Sequence, residues 1–184
     1  MILDIVRNKF PLVTLIMLTV FLASNVSAVD RTEEIGDDLL KLVVASSFAS
    51  SVVFENSTEG SIQMLKSFVA SQIIVESFKR GINKTRPNGW CCESAASGHA
   101  SSSFVSAAFI HKRYGWQYAI PSYIASTYVS YSRVSADKHY TEDVVLGATI
   151  GILSAFYFTE NYNSLKITPI ISRQSVGFQF STTW

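Results

Sequence analysis

Charge is scarce in this sequence and neither sign prevails: 15 Lys and Arg stand against 14 Asp and Glu, together 16% of 184 residues. With no basic excess, and no basic stripe interleaved with aromatics, the chain is not built to hold a nucleic-acid backbone. Length is limited too, because 184 residues without a long low-complexity tract leave room for one compact domain and little else. Cysteine is confined to the neighbours Cys91 and Cys92. Adjacent residues lie about 3.8 Å apart at Cα, closer than disulfides usually want, so free thiols or a bond to another chain are expected. No cluster of His, Cys or carboxylate residues has metal-ligand spacing, and no metal or cofactor is implied.

What is present begins with a leader. Arg7 and Lys9 precede an apolar run over residues 10–23, and Val26-Ser27-Ala28 is a small-residue cleavage pattern, so residues 1–28 read as a secretory signal. An uncleaved anchor is the other reading. Cleavage removes Asp4, Arg7 and Lys9, taking the basic count from 15 to 13 and the acidic count from 14 to 13, and leaves a formally neutral chain. The expected organisation is a signal at 1–28, a helical domain at 29–165 and a tail at 166–184.

Apolar periodicity predicts helices over residues 35–54, 59–80, from just after Gly98 to 113, across a Tyr-rich segment interrupted or started by Pro121, and over 141–158. Asp37 and Asp38 suit the N-terminus of the first. The third is rich in small residues, Ala100, Ser102, Ser103, Ser106, Ala107 and Ala108, which permit close helix packing. Lys66, Gln72 and Glu76 interrupt the second, and no segment after the leader offers roughly 18 uninterrupted apolar residues, so soluble bundle helices are the simpler reading. Residues 144–158 are nonetheless apolar almost throughout, and Ser-rich helices also pack in membranes, so membrane association stays open. In the tail, Val176, Phe178, Phe180 and Trp184 fall on one face of an extended chain, which reads as a β-hairpin covering one end of the core. The expected fold class is all-α, a helical bundle of about five to six helices with a short C-terminal β-hairpin.

Three clusters stand in order along the helical region: Lys79, six residues, then Arg86-Pro87; Ser97-Gly98-His99; and Ser132-Arg133, five residues, His139, three residues, Asp143. Each alone is a weak signal. Together they fix ten identities, and with them residues 59–158 resemble the type 2 phosphatidic acid phosphatase superfamily, which includes bacterial non-specific acid phosphatases and vanadium haloperoxidases. One position departs from the pattern: Ala96 stands where the family commonly has proline.

The residue types agree with what the resemblance implies. Phosphoryl transfer spreads charge over equatorial oxygens, so cations do most of the catalytic work, and Lys79, Arg86 and Arg133 are three. Ser97 and Gly98 open a helix, where backbone N–H groups and the helix dipole favour an anion and Gly98 lets the backbone approach. His139 and Asp143, four apart, would share a helix face, so Asp143 could accept Nδ1–H and leave Nε2 as nucleophile. His99 suits the protonation of the leaving alkoxide and the activation of water. Exchange of the two roles is the rival assignment. His111 receives no role, and Asp137 and Glu142 read as local charge balance. Asn56-Ser57-Thr58 and Asn83-Lys84-Thr85 match the glycosylation pattern but read as chance, consistent with a bacterial envelope protein.

The resemblance thus implies a metal-independent phosphatase of the periplasm or envelope membrane. It would hydrolyse phosphate monoesters or pyrophosphates, on small molecules or lipid headgroups, through a phosphohistidine. A vanadate-dependent haloperoxidase and a catalytically silent envelope interaction protein are the alternatives.

Overall fold

The computed structural model describes residues 28–55, 57–91 and 93–162, and the backbone of 166–172 and 175–181. The expected leader, up to its last residue Ala28, lies outside the described residues. Five helices form the body: α1 (Ala28–Phe54), α2 (Glu59–Gly81), α3 (Gly98–Tyr114), α4 (Trp116–Ser135) and α5 (Thr141–Phe158).

Local chemistry explains most boundaries. Ser97 caps α3 by accepting the Ala100 N–H at 3.3 Å. Gly115 separates α3 from α4 with φ at 110°, a conformation that favours glycine. Two expectations fail here. No proline or glycine interrupts residues 28–35, so α1 is already helical at Ala28, and Asp37 and Asp38 lie in its body rather than its first turn. Pro121 neither starts nor interrupts α4, which begins at Trp116 and runs through it, because a proline so near the N-terminal end removes few ladder bonds.

The helices run up and down, and central α3 packs against the other four. Its tightest neighbour is α5. A Cβ on Gly147 would collide with the Ser97 carbonyl, and one on Gly151 with the Ser101 carbonyl, so two glycines on one face of α5 let it lie directly on the start of α3. Apolar core is modest: Met64, Val105, Phe109, Ala119 and Ala155 form one cluster and Val75, Ala96 and Ile150 another. Much of the remaining interior is serine. Ser103, Ser106, Ser126 and Ser132 each donate to a carbonyl three or four residues back in their own helix, which satisfies the hydroxyl without a tertiary partner.

The outside is apolar instead. Ile73, Ile124, Val145 and Leu153 are each about 60% exposed or more, and Tyr157 is 82% exposed. That surface is more apolar than a water-facing bundle requires, although Lys66 and Glu76 also stand on it. Helix α5 is long and apolar enough to cross a membrane by length and composition.

The hairpin in the expected fold class is corrected. The fold is all-α, five helices, and no strand enters its packed body. Lys166–Ser172 and Ser175–Ser181 pair antiparallel with each other as backbone, while the principal contacts of the body join helix to helix. Alternation in sequence reports local extension, not what the strands would pack on, and two strands alone are marginal.

One end of the bundle is closed by a buried pair. Glu55 accepts from Arg113 Nη2 at 2.7 Å, Arg113 Nε at 2.9 Å, Tyr114 Oη at 2.7 Å and the Gly60 N–H at 3.1 Å, joining the end of α1, the start of α2 and the end of α3. His111 lies at this end, its Nδ1 3.2 Å from Tyr123 Oη. The start of α3, the start of α5 and the ends of α2 and α4 meet at the other.

Candidate active site

At that other end a cavity of about 260 Å³ gathers side chains from every helix or its flanking connection. Lys79 comes from the last turn of α2, Arg86 from the 82–97 connection, Gly98 and His99 from the start of α3, Arg133 from the last turn of α4, and His139 from the connection before α5. The three clusters, separated in sequence, therefore share one cavity. Two further wall residues, Glu33 and Asp37, come from α1, and Lys138 is a third. None of these three was a site candidate from sequence.

Arg133 is 4% exposed and almost fully occupied. Its Nη2 donates to the Glu33 carbonyl at 2.9 Å, its Nε to Ser132 Oγ at 3.2 Å, and its Nη1 lies 3.0 Å from Asp37 Oδ1. Gly36 makes this possible, since a Cβ there would overlap Ser132 Oγ and hold α1 away. Asp37 Oδ1 also lies 3.3 Å from His99 Nε2, and Lys138 Nζ 3.3 Å from Glu33. His99 has no carboxylate in its own motif, and α1 supplies one.

Gly98 has room to spare on the protein side. An added Cβ would meet Gln72 Oε1 and Lys79 Nζ only at ordinary distances, 3.7 and 3.9 Å, so neighbouring packing does not demand glycine. The open space lies toward Lys79 Nζ. Ser97 departs from expectation: it is buried, its N–H donates to the Asp143 carbonyl at 2.9 Å, and its Oγ serves the cap. Its N–H therefore cannot point at an anion, because it ties α3 to α5. That tie also anchors the turn whose proline is replaced by Ala96.

His139 and Asp143 also meet differently from the expected shared helix face. His139 precedes α5, and Asp143 occupies its first turn, where its carboxylate accepts the Tyr140 N–H at 3.1 Å. The same carboxylate accepts Ser94 Oγ at 2.5 Å and Lys84 Nζ at 2.6 Å. It is 1% exposed, and its Oδ2 lies 3.7 Å from His139 Nδ1, beyond hydrogen-bond distance. Nδ1 is buried with no hydrogen-bond partner among the described residues. Burial first, and then the Arg86 charge, push the imidazole pKa down to about 4, and Asp143 opposes that shift without overcoming it.

Arg86 Nη2 pairs with Glu93 at 3.0 Å, and the connection is stitched by Asn88 N–H to the Asp137 carbonyl at 3.1 Å. Cys91 in that connection is disulfide-bonded, correcting the expectation of a free thiol. Among the described residues no group of three or more His, Cys, Asp or Glu side chains could hold a metal ion.

Comparison with known proteins places this arrangement. The sequence profile of the PAP2 superfamily matches residues 60–166. A lipid A 1-phosphatase of Porphyromonas gingivalis is 28% identical over 114 residues, 60% of this chain and 24% of that protein. A lipid A 4'-phosphatase of Helicobacter pylori is 34% identical over 102 residues, 49% of this chain and 52% of that protein. The matches thus span about a quarter and about half of these relatives. Among solved structures, the crystal structure of Aquifex aeolicus LpxE superposes with a TM-score of 0.62 at 17% identity, covering 82% of this chain and 92% of that one, a likeness of fold.

Proposed function

The chain belongs to the PAP2 superfamily, and from that premise we propose that it is a phosphatase of membrane lipids that works through a phosphohistidine on His139. The observation that carries the reading is the single cavity in which Lys79, Arg86 and Arg133 stand around His99 and His139. Cations from three elements can meet the oxygens of one phosphoryl group there, and two imidazoles can stand on either side of its phosphorus.

With Nδ1 turned toward Asp143, Nε2 of His139 is the nitrogen left for attack. It forms the P–N bond as the P–O bond to the leaving group breaks, and His99 delivers a proton to the departing alkoxide. Water then attacks phosphorus while His99 takes its proton. The P–N bond breaks, its electron pair returns to Nε2, and phosphate leaves with both imidazoles restored. Lys79, Arg86 and Arg133 stabilise the equatorial oxygens in both steps. Arg133 must exchange part of its contact with Asp37 for a phosphate oxygen.

The proposed substrate class, a phosphorylated lipid, follows from the relatives' names and from the apolar outer surface. A bundle embedded in an envelope membrane would hold its cavity end near the headgroups, and the leader over 1–28 would direct export. The purified chain in detergent, offered phosphatidic acid, lipid A and nitrophenyl phosphate, should release phosphate from at least one lipid, and His139→Ala should release none. A folded wild-type chain silent on all three would sink the reading and favour an interaction protein.

A further inference from the structure

Lys84 is one of the six unspecified residues between Lys79 and Arg86 in the first cluster, and it is the middle residue of an unused glycosylation pattern. In the fold it reaches the most buried carboxylate of the site. Its Nζ donates to Asp143 Oδ1 at 2.6 Å and to Glu142 Oε1 at 2.8 Å, and lies 4.4 Å from the centre of the Tyr140 ring. The same residue acts through its backbone: the Lys84 carbonyl accepts the Ser94 N–H at 3.1 Å, and Ser94 Oγ donates to Asp143 Oδ2 at 2.5 Å. One residue thereby reaches both oxygens of one carboxylate, directly and through Ser94. The cavity itself is lined by Lys79 and Arg86, not by Lys84.

A carboxylate offers about four lone-pair positions. Lys84 takes one on Oδ1, Ser94 Oγ and the Tyr140 N–H take both on Oδ2, and His139 Nδ1, buried, lies 3.7 Å from that filled Oδ2, so the ring is held beside a carboxylate already fixed by these three donors. We infer that Lys84 is a positioning residue, which fixes Asp143 and, through it, the ring of His139, without touching substrate. The inference rests on the proposed nucleophilic role of His139. Hydrogen bonds to Asp143 and Glu142 hold Lys84 above its ordinary pKa although burial works against them, so the tether is charged at neutral pH.

Removing the ammonium has two separable consequences. Asp143 loses one of its restraints, so the imidazole is oriented less often for attack and kcat falls. The uncompensated carboxylate also makes His139 more basic. The other charges facing that ring are Arg86 from the connection and Lys79 from α2, with Arg133 from α4, Lys138 beside it, and His99, Asp37 and Glu33 across the cavity. All of these remain in a Lys84 variant.

The test compares wild type, Lys84→Met and Lys84→Arg in detergent, with phosphate release from a lipid phosphate and NMR titration of ¹⁵N-labelled histidine read side by side. Lys84→Met should lose kcat roughly tenfold, the equivalent of one pKa unit of lost interaction, with KM nearly unchanged. Its His139 midpoint should rise by on the order of one unit, and Lys84→Arg should restore both. If Lys84→Met does not fold, Lys84→Gln, which keeps a donor without charge, takes its place. A wild-type kcat in the uncharged variant, a loss confined to KM, or an unmoved midpoint overturns the inference. Full activity in His139→Ala overturns instead the nucleophile on which it rests, and the titration still reports whether Lys84 controls that ring.

Discussion

At the scale of single residues, the two imidazoles should separate by task. His139 attacks as the neutral base, so on a nitrophenyl ester, whose leaving group hardly needs the His99 proton, kcat/KM should hold from neutral pH downward and fall only as His139 takes up a proton near about 4, because burial and Arg86 disfavour the cation. The sign matters: an unperturbed histidine would lose activity below about 6.5. A profile of kcat/KM on a soluble ester checks it, and an acid limb at the ordinary histidine value would contradict this setting of the ring. His99→Ala should cost much less on a nitrophenyl ester, whose leaving group hardly needs a proton, than on an alkyl phosphate. Equal losses on both would remove the acid role from His99. The histidines and the three cations could be grouped from sequence because each lies within a few residues of its motif partners, and the fold brings them to one cavity. Glu33, Asp37 and Lys84 could not be, because what gives them meaning is a partner far along the chain: the Lys84–Asp143 contact closes 59 residues and the Glu33–Arg133 contact 100. Nothing in the spelling of Asn83-Lys84-Thr85 points to Asp143.

At the scale of elements, five helices were readable from periodicity and breakers, and what escaped was how they touch. Gly147-Ala148-Thr149-Ile150-Gly151 carries small residues four apart in the most apolar helix, a spacing that by itself favours a close helix crossing, here that of α3 and α5. Those glycines set the distance between the Ser97-Gly98-His99 turn and the Asp143 end of α5, so they belong to the site without entering the cavity. Gly147→Val should destabilise the fold by about 1–3 kcal/mol, the usual cost of forcing volume into a packed contact, and lower kcat beyond that loss because the turn and His139 are pushed apart. Thermal unfolding and kcat on the same sample separate the effects. An unaltered melting temperature would mean that α5 does not lie on α3 as described. The tail shows the converse limit: alternation over residues 166–184 was read as a strand pair covering one end of the core, whereas the packed body is helical throughout.

At the scale of the whole molecule, serines and glycines are concentrated at the helix contacts beside a modest apolar core, while many large aliphatics lie outside. In water such a surface would associate, whereas in hydrocarbon it costs nothing and the interior needs only close contact and internal hydrogen bonds. Ile124 on α4 and Leu153 on α5, 67% and 64% exposed, give the sharpest test because water and lipid predict opposite outcomes there. Replacing either with Lys would be nearly neutral on a soluble surface and would improve solubility. At the depth of a bilayer the same change costs about 2.5–3.5 kcal/mol per residue, so Leu153→Lys should sharply reduce insertion and yield, and a double change at 124 and 153 should abolish both. Exposed Lys41, whose Nζ pairs with Asp38 at 2.9 Å, is the control, since Lys41→Glu adds no charged group to either environment and should leave insertion intact. Membrane fractionation after expression reads the outcome. A Leu153→Lys chain that remains folded, active and soluble without detergent would place the bundle in water and leave its apolar surface to be explained by a protein partner instead.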